Sequence, residues 1–103
     1  MKKIQQGDII IRSVKGVPEG AKRVSSTARG FVLAEGEATG HAHVIEDDIE
    51  MYEKDGLLFI RAHRPVTVKH EEHKPIALSR GTYVIGHVRE FDYRSEEIRR
   101  TRD

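Results

Sequence analysis

Cysteine is absent from this chain, which removes disulfide frameworks, thiolate zinc sites and thiol nucleophiles together. Tryptophan is absent as well, and Tyr and Phe contribute only three residues each, scattered along the sequence. No stretch approaches the ~18 consecutive apolar residues of a membrane-spanning helix, so no membrane association is expected. Met1 to Asp8 is basic but holds no 7–15-residue apolar run, so it does not read as a signal peptide. A large charge of one sign is missing too. Eighteen Lys+Arg against seventeen Asp+Glu give +1, with no global field to attract nucleic acid or a membrane surface. A cytoplasmic protein is the expectation.

What the chain does have is a modest core's worth of apolar residues and six histidines. Its 103 residues suit one domain. Leu, Ile, Val and Phe make up about a quarter of them, above the ~20% at which chains tend to stay disordered.

These residues recur in short runs broken by Gly, Pro or Asp, which is the punctuation of strands. The runs are Asp8–Val14, Phe31–Ala34, His41–Glu46, Ile49–Lys54, Leu57–His63, Val66–His70 and Thr82–Tyr93. β-branched residues dominate them, as a half-buried pleated surface favours. No clean helical period appears before Ser95. The expectation is a single all-β domain over residues 1–93, an antiparallel barrel or sandwich of about seven to nine strands. Residues 94–103 read as a charged tail or a short helix capped by Ser95.

One hairpin can be drawn in register. Asp55-Gly56 is a type I′ turn signal, because both central positions need positive φ. A two-residue loop there pairs Lys54 with Leu57, Tyr52 with Phe59 and Glu50 with Arg61. Ile49 and Met51 then share the opposite, apolar face with Leu58, Ile60 and Ala62.

The histidines fall into two motifs. In Gly40-His41-Ala42-His43, strand alternation puts His41 and His43 on one face, ~6–7 Å apart. In His70-Glu71-Glu72-His73, a tight turn at Glu71-Glu72 sets His70 opposite His73, although Glu-Glu is a poor type I′ pair. Four imidazoles at His41, His43, His70 and His73 suit a divalent transition metal, Zn, Fe or Ni. Glu46, Glu71 and Glu72 are candidates to hold the ring nitrogens that do not bind metal. The competing reading is a set of buried, hydrogen-bonded histidines, or a patch that titrates near pH 6.5. His63 and His87 lack a second ligand at metal spacing and read as structural. Arg23, Arg29, Lys69, Lys74 and Arg80 form at most a modest basic set, so nucleic-acid binding is not expected.

Leu33 to His43, His70 to Leu78, Gly81-Thr82-Tyr83 and Arg89 to Tyr93 together resemble small uncharacterised bacterial and phage-borne proteins. The resemblance runs from about Gly7 to the end. It covers His41, His43, His70 and His73 but not His63 or His87. It implies a site and supplies no reaction. At Leu78-Ser79-Arg80-Gly81 this chain lacks the prolines usual before the glycine. A looser resemblance is to cupins, where His-x-His, a nearby Glu and a later His hold a metal. His41, His43 and Glu46 would match the first cupin motif at a shorter spacing, and His-x-x-His stands in place of the single later ligand.

Three function classes follow. The first is a metal-binding β-domain with all four histidines as ligands and a closed site. The alternative is a cupin-like metalloenzyme with an open position, in which the fourth histidine or Glu72 would serve as general base. The third is an accessory protein that acts through partner contacts. Because a short open sheet leaves unpaired edges, a homo-oligomer is also expected.

Overall fold

The structure is a computed structural model that describes residues 3–35 and 40–87. The expected helix or tail at 94–103, and the last strand's continuation to Tyr93, lie outside the described residues. Ten strands run in order: β1 (Lys3–Gln6), β2 (Ile9–Val14), β3 (Lys22–Val24), β4 (Phe31–Glu35), β5 (Ala42–Ile45), β6 (Glu50–Lys54), β7 (Leu57–Ala62), β8 (Val66–His70), β9 (His73–Leu78) and β10 (Gly81–His87). One sheet has the order β1-β2-β10-β7-β6-β3 and the other β4-β5-β8-β9, with every pairing antiparallel. These are two packed sheets, the sandwich of the two expected all-β forms. No helix among the described residues is long and apolar enough to cross a membrane.

Alternation along the strands explains the packing. Ile9 and Ile11 of β2, Met51 of β6, Ile60 of β7 and Tyr83 and Ile85 of β10 face inward. They meet Leu33 of β4, Ile45 of β5, Val66 and Val68 of β8 and Leu78 of β9. The Tyr83 hydroxyl reaches past this core and donates to Ser79 O at 2.7 Å, which closes the β9–β10 turn.

The β6–β7 hairpin forms in the register its sequence demands. Lys54 pairs with Leu57, Tyr52 with Phe59 and Glu50 with Arg61. Asp55 has φ of 53° and Gly56 of 81°, the two positive values of a type I′ turn. Three of the ten strands among the described residues, β1, β3 and β9, were not among the expected runs, although β9 is the far arm of the hairpin expected at Glu71-Glu72, and the count exceeds the seven to nine expected. β1 and β3 each carry one apolar residue, because each is a sheet edge with little to bury. Lys3, Lys22 and Arg23 on these edges also discourage pairing with another chain.

Across the hairpin, Glu50 accepts from Tyr52 Oη, from Arg61 Nη1 at 3.1 Å and from His63 Nε2. His63 is thus tied to a carboxylate partner on the sheet. The Tyr52 hydrogen bond first, and then that from His63, draw the Glu50 carboxyl down to about 2. A folded pKa below that of free Glu (~4.3) means the carboxylate favours the folded state above that pH. The contribution fades as pH falls toward 2. Urea midpoints measured from pH 5 to pH 2 should therefore decline more steeply for the wild type than for Glu50→Gln. Parallel declines would show that Glu50 contributes nothing to acid stability.

Candidate metal centre

The site grows out of an imperfect turn. Neither Glu71 nor Glu72 has positive φ, so the β8–β9 turn is not the type I′ geometry that matches strand twist. His70 still pairs with His73, but the register slips immediately behind them, where Val68 pairs with Ile76. Lys74 and Pro75 together oppose Lys69, which is a bulge on the edge strand. Proline is tolerated there because no ladder partner needs its missing N–H. The bulge also releases the Lys74 carbonyl from the ladder.

Gln6, at the end of β1, takes up that carbonyl. Its Nε2 donates to Lys74 O at 2.9 Å and to Val68 O at 3.1 Å. Both amide hydrogens are then committed, so Oε1 is the atom that faces His43 Nδ1 at 2.8 Å. His43 is 0% exposed and shares the inward face of β5 with Ile45. Its Nε2 lies 3.0 Å from Asp8 Oδ1, and one proton must sit between them or two acceptors would face each other. Burial draws the His43 pKa down while its bond to Asp8 resists. At Asp8, burial pushes upward, but the bond and charge of His43 outweigh it and hold the carboxyl below its ordinary value. Both ring nitrogens of His43 are thereby engaged within the protein.

The four histidines of the two motifs converge in space. His70 is the hub, with ring centroids 4.4 Å from His43, 4.6 Å from His73 and 5.8 Å from His41. His73 stacks 6.1 Å from His43. It also lies so close to the β1–β2 turn that a Cβ on Gly7 would sit 2.5 Å from its Nε2. Gly7 has φ of 58°, so both backbone and space there call for glycine.

His41, His70 and Glu71 bring one ligand atom each to within 4.8 Å of one another, the arrangement a single ion could draw together. Glu71 Oε1 accepts from Ala42 N at 3.0 Å, and Oε2 pairs with Arg29 at 2.9 Å. The Ala42 N–H, then its own backbone N–H, Arg29 and His41 keep the Glu71 carboxyl below its ordinary range. His41 Nδ1 is buried without a hydrogen-bond partner. Glu72 Oε2, at 3.7 Å, is too distant to serve. An orphaned buried nitrogen is costly and marks a place where a partner fits.

His70 carries a constraint of its own. Its Nδ1 accepts from Glu72 N at 3.0 Å. A metal on Nδ1 would take that lone pair, and a metal on Nε2 would send the ring proton to Nδ1. Either way Glu72 N–H loses its acceptor, so coordination at His70 reshapes the turn.

Beside the cluster lies an open cleft of about 390 Å³, lined by Arg29, Ala42, Val44, Lys69, His70 and Glu71 among others. Glu46 lines the same cleft and is paired with Lys69 at 2.9 Å, both side chains being exposed. His87 shares the inward parity of Tyr83 and Ile85 and acts on Asp8 through its charge. Gln6, Asp8 and Arg29 were not singled out from the sequence as site residues. The Gly7-Asp8 turn between two strands was the available signal for the first two.

Residues 5–87 match the family described as a domain of unknown function (DUF8820). No curated protein and no solved structure matches the chain.

Gln6→Leu leaves the Val68 and Lys74 carbonyls and His43 Nδ1 without their partner. It should cost more than the roughly 1–3 kcal/mol of one unsatisfied buried group. Gln5→Leu, on the exposed face of the same strand, should change urea stability by less than about 0.5 kcal/mol. Equal effects from the two would remove Gln6 from its bridging role.

Proposed function

The chain belongs to that family of unknown function, and we propose that it is a metal-binding β-domain that holds a divalent transition metal at His41, His70 and Glu71. The observation that carries this is the buried, partnerless Nδ1 of His41 beside two further ligand groups. Two imidazoles and one carboxylate are a donor set suited to Zn²⁺ or Fe²⁺, with Ni²⁺ a weaker fit. The buried His43 packs behind these ligands in this proposal. Recruiting His43 would cost its bonds to Gln6 and Asp8, whereas His73, exposed and 4.6 Å from the His70 ring, is the less costly fourth ligand.

Titration calorimetry of tag-free, chelator-stripped protein with Zn²⁺ at pH 7.5 tests the assignment. His41→Ala and His70→Ala should each weaken binding by more than the roughly 10–100-fold typical of losing an outer partner. His63→Ala and His87→Ala should leave it unchanged. Affinity should also fall below about pH 6, where protons compete for the imidazoles. Equal affinity across the four variants places the metal elsewhere.

The adjoining cleft favours a second reading, a metalloenzyme whose open coordination position takes water or substrate. Co²⁺ loading separates the two. Azide should shift the visible Co²⁺ bands if a position is open. A spectrum indifferent to azide means that a fourth protein ligand closes the site and that the role is binding alone.

A further inference from the structure

His41 lies one residue before β5, and no ladder pairing among the described residues holds it. Its orientation comes from side chains instead. Arg29 Nη2 donates to Gly40 O at 2.8 Å and to Glu71 Oε2 at 2.9 Å. Glu71 Oε1 in turn accepts from Ala42 N at 3.0 Å. One ion pair therefore holds the peptide groups on both sides of His41, by the carbonyl before it and the N–H after it. The φ and ψ of a residue are the rotations between its two flanking peptide planes. Fixing both planes fixes the direction of the His41 Cα–Cβ bond.

Arg29 is itself firmly seated. It belongs to the tight turn in which Thr27 N donates to Gly30 O at 2.8 Å and Gly30 N to Thr27 O at 3.0 Å. The Thr27 hydroxyl accepts from Arg29 N at 3.1 Å and donates to Gly30 O at 3.0 Å. Gly30 lays this turn against β5, where a Cβ would come within 2.8 Å of Ile45 O. The clamp thus runs from the body of β5, through the turn, to the residue that precedes the strand.

We propose that Arg29 is a positioning residue for metal binding, a role that rests on His41, His70 and Glu71 holding the ion. With Glu71 it locks the backbone around His41 and so presents the buried, partnerless His41 Nδ1 to the metal. Each Glu71 oxygen spends one lone pair on the clamp and keeps another, so Glu71 can bind an ion without releasing Arg29 or Ala42. The competing role is a plain surface ion pair, since both side chains are 41% exposed. Such a pair contributes little to stability, and its electrostatic effect on the site has a definite sign. A cation beside a cation site repels the ion, so charge alone makes removal of Arg29 tighten metal binding. Positioning requires the opposite.

Titration calorimetry with Zn²⁺ on tag-free, chelator-stripped protein reads that sign. Arg29→Ala should weaken binding by roughly 10–100-fold, the cost typical of losing an outer partner of a ligand. Its urea midpoint should stay close to that of the wild type. Arg29→Lys keeps the charge and a donor at the end of the chain, and should recover part of the loss. Lys69→Ala removes a cation from the same cleft that bonds neither Gly40 nor Glu71, and should not weaken binding. In metal-free protein, the ring ¹H–¹⁵N correlations of His41 should shift in Arg29→Ala while those of His63 hold. Wild-type protein that binds no Zn²⁺ overturns the metal site and this role together. Wild-type binding that Arg29→Ala leaves equal or tighter overturns the role of Arg29 alone. Equal weakening by Arg29→Ala and Arg29→Lys with lowered urea midpoints in both also overturns it, since that is general loosening of the loop.

Discussion

One amide side chain holds the site in register with the fold. Gln6 leaves the edge of one sheet and satisfies two carbonyls of the other, while its oxygen fixes a buried histidine. The carbonyl that Gln6 takes from β9 lies where the ladder is irregular. Neither Glu71 nor Glu72 has positive φ, the register slips behind the turn in a bulge, and Lys74 O in that bulge accepts from Gln6. The convergence of four imidazoles is thus a product of imperfect hairpin geometry, made stable by a polar group inside the sandwich. Buried networks of this kind specify one arrangement strongly when every member is satisfied. His41 is the member left unsatisfied, and it lies at the edge where an ion can reach it.

Much of the fold was legible where local chemistry is unambiguous. Asp55-Gly56 admits one turn type, and alternation on either side of it fixed which residues pair and which face inward. The pairing of His70 with His73 was legible for the same reason, despite the poor turn residues. β1 and β3 were not, since an edge strand needs no apolar alternation and theirs is nearly all polar. Gln6 and Asp8 were hidden for a different reason. Their partners lie far along the chain, more than sixty residues away in the case of Gln6 and Val68, and spacing arguments reach only neighbours. Spacing placed His41 and His43 on one strand face. It gave no hint that His43 would spend both nitrogens on Gln6 and Asp8.

The two sheets divide their chemistry. The four-stranded sheet presents carboxylates and imidazoles at one end of the sandwich, where Arg29 steadies Glu71 and the chain before β5 brings in His41. The six-stranded sheet sets Tyr52 and its guanidinium neighbours Arg23 and Arg61 on its outward face, and gives Ile9, Ile11, Met51, Ile60, Tyr83 and Ile85 to the core. Ladder pairing rather than sequence proximity assembles both surfaces. Substitutions that shift a strand by one residue would therefore exchange buried and exposed faces and erase a site along with its support.

Pro75 bears on how copies of this chain can meet. It occupies β9, an outer strand of its sheet, at a point where the backbone is already kinked by the bulge. An incoming strand needs a continuous row of amide donors, and here it would find one missing and the next misaligned. The same irregularity that frees a carbonyl for Gln6 therefore makes this border a poor template for templated strand growth. Association through β9 would have to proceed by side chains rather than by extending the sheet, which guards a histidine-rich rim against fibril-like stacking.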